Sequence, residues 1–362
     1  MTSVGSTFVD FFSGSGIMSY GFKNLGFSVT KGFEINDDRC KTFGKNLSVR
    51  SEPFDLLDAN LDAVNVVLGK FTKELDVVTG CPPCQSFSSL HRTRGSSTLS
   101  DDRTRLVKKY AELAVGLRPK VVVFENVSGM LTADNNAFFQ DYLRIIDSAG
   151  YDASWKLIDA ADYGVPQHRK RIVAISILRE LMVKSSLPEP THSRNGLGGT
   201  KKWKTVRDAI GNLRPLESGE ADPGDPLHHA TFHEKNTLKI MRAIPKNGGS
   251  RRSLPDELVL PCHRRLAKNK GAESVYGRMK WDEPSPTITG AAIRPSSGRF
   301  IHPDQDRGIT LREMARLQTI PDDFQFQGSK DAIASMIGDA VPFELARAIA
   351  RHVKFLLKEA GY

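Results

Sequence analysis

Short apolar runs alternating with amphipathic stretches set the rhythm of the first half of the chain. Thr7-Phe8-Val9-Asp10-Phe11-Phe12 reads as a strand, and Ser13-Gly14-Ser15-Gly16 as a turn leading into a helix over Ile17 to Leu25. A second strand spans Ser28 to Ile35. Leu75-Asp76-Val77-Val78-Thr79 is a third, closed by Gly80 and the rigid pair Pro82-Pro83. The polar stretch His91 to Arg105 has no apolar period and is expected to be a loop. Beyond it the pattern predicts a helix over Tyr110 to Leu117, a buried strand over Pro119 to Phe124, a helix over Phe138 to Ala149, and strands over Ala153 to Ile158 and Ile172 to Ile177. Strand, glycine turn and helix at the start are the opening of a nucleotide-binding unit in an α/β sheet. Glycines there let the backbone approach a ligand, and the helix N-terminus offers free N–H groups.

The texture changes near Ser185. Residues 185–300 hold 11 of the 19 prolines, and regular periodicity nearly vanishes, which predicts a separate, loop-rich domain. Order returns in Thr310 to Gln318, a helix with an N-cap and a stop before Pro321. It continues in a final helix from Phe343, with Leu345, Ile349, Val353 and Leu356 as its apolar stripe.

Charge sharpens this division. The chain of 362 residues carries a formal charge of +9, and residues 185–310 contain 21 Lys and Arg against 14 Asp and Glu. A concentrated positive field favours a polyanion partner, because neutralising phosphates releases their counterions. Four cysteines without a framework of spacings imply a reducing compartment. The N-terminus has no basic region before an apolar core, and no apolar run reaches the ~18 residues of a membrane span. A soluble, cytoplasmic protein is expected, with no membrane association. His228, His229, His233, Cys262 and His263 fit no standard zinc spacing, so no metal is expected, and these histidines are read as polar or DNA-facing.

Candidate chemistry gathers at strand ends. Cys84 lies in Gly80-Cys81-Pro82-Pro83-Cys84-Gln85, on a stiff turn after the third strand, where ligands usually gather in α/β sheets. It suggests a nucleophile, although Cys81 and Cys84 also match the Cys-x-x-Cys of a redox pair or half a zinc site. Glu125 ends a strand behind four apolar residues, a costly place for a carboxylate, which is either functional or satisfied by local backbone donors. Glu34, about 20 residues beyond the glycine turn, suits ribose hydroxyls or is an ordinary exposed acid. Asp55, preferred to Asp58, is a candidate contact to an adenine amino group. Alternation in Gln167-His168-Arg169-Lys170-Arg171 sends Arg169 and Arg171 to one side, where two guanidiniums suit phosphate and base oxygens.

Taken together, Phe8-Val9-Asp10-Phe11-Phe12-Ser13-Gly14-Ser15-Gly16, Pro83-Cys84-Gln85, Glu125-Asn126-Val127, Gln167-x-Arg169-x-Arg171 and Arg312-Glu313-x-Ala315-Arg316-Leu317-Gln318 resemble the DNA (cytosine-5) methyltransferases of the bacterial type. The order and spacing are the family's, and the resemblance runs almost end to end, thinning between about 185 and 275. It implies a doubly wound, Rossmann-like α/β domain that uses S-adenosyl-L-methionine, over residues 1–184. A smaller, loop-rich target-recognition domain would occupy 185–330, and 331–362 would return to the catalytic domain. It implies Cys84 as the nucleophile that adds to cytosine C6, Glu125 at N3 and the N4 amino group, Arg171 near O2, and Arg169 as its support. For the cofactor it carries Phe12 to the adenine face, Gly14 and Gly16 to the methionine end, Glu34 to the ribose and Leu106 to the adenine pocket. Asp339 stands where the family usually has Asn after Gly338. It loses an amide donor and adds charge beside the cofactor, so cofactor affinity is the property at stake.

The expected partner is double-stranded DNA with one base flipped out of the stack. Arg251, Arg252, Arg264, Arg265 and Lys268 are expected to take phosphate or guanine contacts. The protein is expected to act as a monomer, in a bacterial or phage setting close to the nucleoid, as the modification partner of a restriction endonuclease acting on the same site. A tRNA cytosine-5 methyltransferase and a DNA-binding regulator with a dead site are the competing readings. The complete set Cys84, Glu125 and Arg171 argues against the second.

Overall fold

The computed structural model describes residues 5–51, 53–69, 71, 75–83, 102–261, 264 and 274–362. Its centre is a six-stranded sheet in the order β2-β1-β3-β4-β6-β5. The strands are β1 (Thr7–Phe11), β2 (Ser28–Phe33), β3 (Val77–Gly80), β4 (Val121–Val127), β5 (Tyr151–Asp159) and β6 (Lys170–Leu178). The first four run parallel, and β6 runs antiparallel to both β4 and β5. Successive residues of the central strands feed different cores, as the two-residue period of a strand requires. Val9, Phe11, Val78, Val122 and Phe124 pack on one face with α3 (Leu61–Leu68), α4 (Asp102–Gly116) and α5 (Asn136–Ser148). Phe8, Val77, Val121, Val123 and Val173 pack on the other with α1 (Ile17–Asn24) and the C-terminal helix. Helices on both faces make the fold a doubly wound α/β sheet, as expected.

One boundary departs from the expectation. Helix α4 begins at Asp102, so the polar stretch expected to be a loop as far as Arg105 ends sooner. Leu106 and Val107 start the apolar stripe that Tyr110, Ala111, Leu113, Ala114 and Leu117 continue into the core. Packing of that stripe outweighs the polar composition of the first turn.

Beyond the sheet the chain forms α6 (Val206–Ile210), α7 (Lys235–Ala243), α8 (Leu311–Leu317), α9 (Lys330–Asp339) and α10 (Phe343–Glu359), joined by irregular segments. Thr310 caps α8 by accepting from Glu313 N, and the Glu313 side chain accepts from Thr310 N, a reciprocal capping box. Residues with few ladder bonds need other donors for their carbonyls. The fully buried Arg278 supplies them: its guanidinium donates to the carbonyls of Met241 at 2.7 Å, Ile244 at 3.0 Å, His302 at 3.0 Å and Gln305 at 2.7 Å, and it also pairs with Asp306. The histidines read as polar or DNA-facing divide. His228 is buried between Thr310 and the Arg214 carbonyl, and His233 is buried and accepts from Gly308 N, while His229 is exposed. A third core links Val206, Ile210, Ile288 and Phe300 with Ile17 of α1, Ile337 of α9 and Phe343 of α10.

Arg307 and Glu313 form a bidentate pair inside this core, at 2.7 and 2.8 Å, with both side chains 1% exposed. Burial alone would raise the Glu313 carboxyl, but the Arg307 charge and hydrogen bonds outweigh it and hold it down at about 2. Glu313→Gln is expected to cost about 3 kcal/mol or more in urea unfolding at neutral pH, because it leaves a buried guanidinium uncompensated. The depressed carboxyl also fixes the sign of a pH effect. The pair's contribution is complete above the ordinary value of 4.5 and is lost as pH falls toward 2, so wild type and variant converge in acid.

Candidate active site

A cavity of about 370 Å³ opens at the carboxyl edge of the parallel strands. Its walls come from Phe12 and the glycine turn after β1, Glu34 after β2, Cys81 to Pro83 after β3, and Glu125 to Val127 at the end of β4. The crevice beyond the carboxyl ends, where the strand order reverses between β1 and β3, is where open α/β sheets take ligands. Arg171 joins them because β6 is antiparallel, which brings its first residues to the edge where β4 ends.

At one end Phe12, Phe33, Phe54 and Leu106 form an apolar slot, with Asp55 at its exposed rim. Asp58 is not on the lining. Phe12 and Gly14 both take the left-handed conformation, with φ of 56° and 54°, so the chain turns sharply over the cavity. Glu34 fixes this turn. Its Oε2 accepts from Gly14 N at 3.0 Å, and its Oε1 accepts from Ile35 N and Asn36 N at 2.9 Å. Three donors fill three of roughly four lone-pair sites, which leaves Oε2 with capacity for one hydroxyl. Asn36 then caps α2 (Asp37–Leu47) by accepting from Arg39 N.

The other end is polar and largely enclosed. Glu125 and Arg171 are diagonal neighbours across the β4–β6 ladder, since Arg171 lies opposite Val127. Arg171 Nε meets Glu125 Oε1 at 2.9 Å, with both side chains about nine-tenths buried. Asn126 donates to the Pro82 carbonyl at 3.1 Å, tying the end of β4 to the turn that leaves β3. Cys84 follows that turn and lies outside the described residues, as do Arg265 and Lys268. Cys81 lines the cavity. Burial pushes its thiol well above the ordinary range, and the charges of Glu125 and Asp10 and a hydrogen bond to Glu125 push the same way, so it stays protonated.

Two expected placements change. Arg169 is buried away from the cavity, its guanidinium donating to the carbonyls of Ile288 at 2.9 Å and Gly338 at 3.0 Å. Of the two guanidiniums expected for phosphate and base oxygens, only Arg171 is on the cavity lining; Arg169 holds Gly338, the neighbour of the lining residue Asp339. Gly16 is not on the lining either. It starts α1 with φ of 86°, and a side chain there would strike Phe43 at 2.8 Å and Leu47 at 2.9 Å. Asp339 does reach the cavity, but its charge is not unopposed, because Arg39 pairs with it at 2.5 Å. Among the basic residues expected on DNA, Arg251 and Arg252 lie in a short helical turn, and Arg264 is exposed and donates to the Asp256 carbonyl.

Asp10 and Arg39 line the cavity without having been singled out. For Asp10 the signal was present: an acid in the middle of an apolar strand must be satisfied. Ser19 Oγ donates to it at 2.5 Å and Thr79 Oγ1 at 2.6 Å. Among the described residues, no His, Cys, Asp and Glu cluster could hold a metal, and no helix is long and apolar enough to cross a membrane.

With this geometry in place, the comparisons with known proteins converge. Residues 6–354 match the family described as C-5 cytosine-specific DNA methylase. The Type II methylase M.HgiDII of Herpetosiphon aurantiacus is 32% identical over 356 residues, covering 97% of this chain and 95% of that one. The Type II methyltransferase M1.HphI of Haemophilus parahaemolyticus is 33% identical over 350 residues, covering 96% and 86%. A solved structure from an E. coli prophage, described as a DNA modification methyltransferase, superposes with a TM-score of 0.74 at 22% identity, over 98% of this chain and 99% of that one, and so shares the fold. The chain is therefore a methyltransferase. The chain belongs to the C-5 cytosine-specific DNA methylase family, with DNA as its substrate.

Asp10 gives this site a pH signature. Burial is the largest cause, and it pushes the carboxyl from 3.8 up to about 6 against the two hydroxyl bonds, with Glu34 adding to the rise. The native state therefore holds a proton that the unfolded chain releases between these values, and stability falls as pH rises from 3.8 to 6. Asp10→Asn removes this loss. Denaturant titrations are expected to show the variant gaining on wild type by up to about 3 kcal/mol across that window, then running parallel above it.

Proposed function

We propose that the chain transfers the methyl group of S-adenosyl-L-methionine to C5 of a cytosine flipped out of duplex DNA, through a temporary covalent bond from Cys84. The observation that carries this reading is the single cavity in which the Glu34-braced glycine turn and aromatic slot run on to the Glu125–Arg171 pair. The slot suits a purine, the spare lone pair of Glu34 suits a ribose hydroxyl, and a side chain on Gly14 would intrude on a bound ligand. Phe12, Gly14, Glu34, Asp55, Leu106 and Asp339 would hold the donor. Bound there, S-adenosyl-L-methionine supplies an electrophilic methyl group on a sulfonium.

The chain's own work is on the base. The Cys84 thiolate adds to C6, which breaks aromaticity and moves electron density to C5. Glu125 meets N3 and the N4 amino group, making the ring a better electrophile, and its bond to Arg171 orients it. Arg171 has donors left for the cytosine O2. Loss of the C5 proton and expulsion of the cysteine then restore the ring. Arg169 acts through its hold on Ile288 and Gly338, not on the substrate.

Residues 1–184 would form the catalytic domain, 185–330 the target-recognition domain and 331–362 the returning segment. Arg251, Arg252, Arg264, Arg265 and Lys268 would meet phosphates or guanines. The protein would act as a monomer near the nucleoid, as the modification enzyme paired with a restriction endonuclease.

Trapping by a duplex containing 5-fluorocytosine tests the covalent step. Wild type and Cys81→Ala are expected to form the stable adduct and Cys84→Ser none. Trapping that survives in Cys84→Ser, or that depends on Cys81, would overturn the assignment. Glu125→Gln is expected to lower transfer of labelled methyl groups to duplex DNA by about 10²–10⁴. Faster methylation of tRNA than of duplex DNA would favour the RNA enzyme instead.

A further inference from the structure

The mouth of the cavity carries an ion pair that no motif residue requires. Arg39 stands in the first turn of α2, just beyond Glu34, and Asp339 is the last residue of α9. Arg39 Nη2 donates to the Asp339 carboxylate at 2.5 Å and to Ser335 Oγ at 3.0 Å, and Ser335 Oγ donates to Asp339 at 2.9 Å. Both charged residues line the cavity. Their side chains are 24% and 48% exposed, so each keeps a surface toward the opening. Arg39 Nη1 has no hydrogen bond among the described residues and lies 3.9 Å from where a side chain on Gly14 would begin. That nitrogen therefore faces the glycine turn with its donors available.

The two ends of S-adenosyl-L-methionine make opposite demands. The purine is a flat, mostly apolar surface, and the slot of Phe12, Phe54 and Leu106 meets it. The amino-acid end is a zwitterion, whose carboxylate and ammonium both lose water on entering a cavity and need partners of opposite sign. Arg39 stands at the glycine turn, and Asp339, also on the lining, is paired with it. We propose that Arg39 and Asp339 form a charge-matched clamp for the amino-acid end of the methyl donor. Arg39 Nη1 donates to the α-carboxylate, and the Asp339 carboxylate accepts from the α-ammonium. The inference rests on the donor assignment above and deepens it. It also explains the departure at position 339: an Asn there would leave the Arg39 guanidinium without its counter-ion, so the Asp and the Arg act as one unit.

The test is calorimetric binding to the full-length protein without DNA, so that no turnover occurs. The probes are S-adenosyl-L-methionine and its decarboxylated analogue, which keeps the ammonium and lacks the carboxylate. Arg39→Gln is expected to weaken the complete donor by about 10- to 100-fold and the decarboxylated one by less than about threefold. Asp339→Asn is expected to weaken both by a similar factor of about ten, since both retain the ammonium. Arg39→Lys, which keeps the charge but not the fork, recovers part of the loss for the complete donor and guards against a variant that fails to fold. Equal losses of the two ligands in Arg39→Gln would mean that the residue only shapes the mouth, and would overturn the clamp, as would no loss for either. Wild type that binds neither ligand would remove the donor assignment and the clamp together. Wild-type affinity retained for the complete donor in Arg39→Gln would remove the clamp alone.

Discussion

Glu125 and Arg171 meet because one strand runs against its neighbours. In a fully parallel sheet the first residues of β6 would lie at the opposite edge from the end of β4, about a strand length away. Reversing β6 brings Arg171 to the carboxyl edge, one diagonal step from Glu125 on the same face. The carboxylate can then be buried behind an apolar strand without being orphaned, and the guanidinium holds it in one orientation. Everything else at the cavity is arranged around that fixed point. The glycine turn after β1 is braced by Glu34, and Asn126 anchors the double-proline exit of β3.

The irregular half of the molecule solves a different problem. Long segments without helices or strands leave carbonyls unpaired, and each unpaired buried carbonyl is costly. Here arginines replace the missing ladders. Arg278 gathers four carbonyls from two separate stretches, and Arg307 gathers two carbonyls together with the Glu313 carboxylate. Arg278 and Arg307, two of the 21 Lys and Arg in 185–310, are therefore internal framework, and Glu313, which neutralises Arg307, lies beyond that stretch. The excess in 185–310 overstates the charge that any polyanion would feel, which is a reason why composition alone weighs a charge run poorly.

The parts of the fold that could be read from sequence were those with strong local periodicity. Strands β1, β3, β4 and β6 announce themselves as apolar runs, and the capping box of Thr310 and Glu313 marks the start of α8. The site residues at strand ends were legible because polar groups there break an apolar pattern. What could not be read was long-range. Nothing near Arg169 says that its guanidinium closes on Ile288 and Gly338, more than a hundred residues away. Nothing near Arg39 points to Asp339, which is brought to it by the packing of α2 against the last part of the chain. Gly16 carries a second demand that its motif does not announce. Its positive φ and its contact with Phe43 and Leu47 belong to helix packing, and glycine is needed for that as much as for ligand approach.

The last helix, α10, lies against α1 in the same core as Phe8, Phe22 and Val77, and Asp339 to Val341 complete a wall that begins at Asp10. Asp10 and its neighbours thus share one pocket with Asp339 to Val341. The pocket therefore depends on two segments far apart in the sequence, so loosening α10 from α1 would open its wall to solvent.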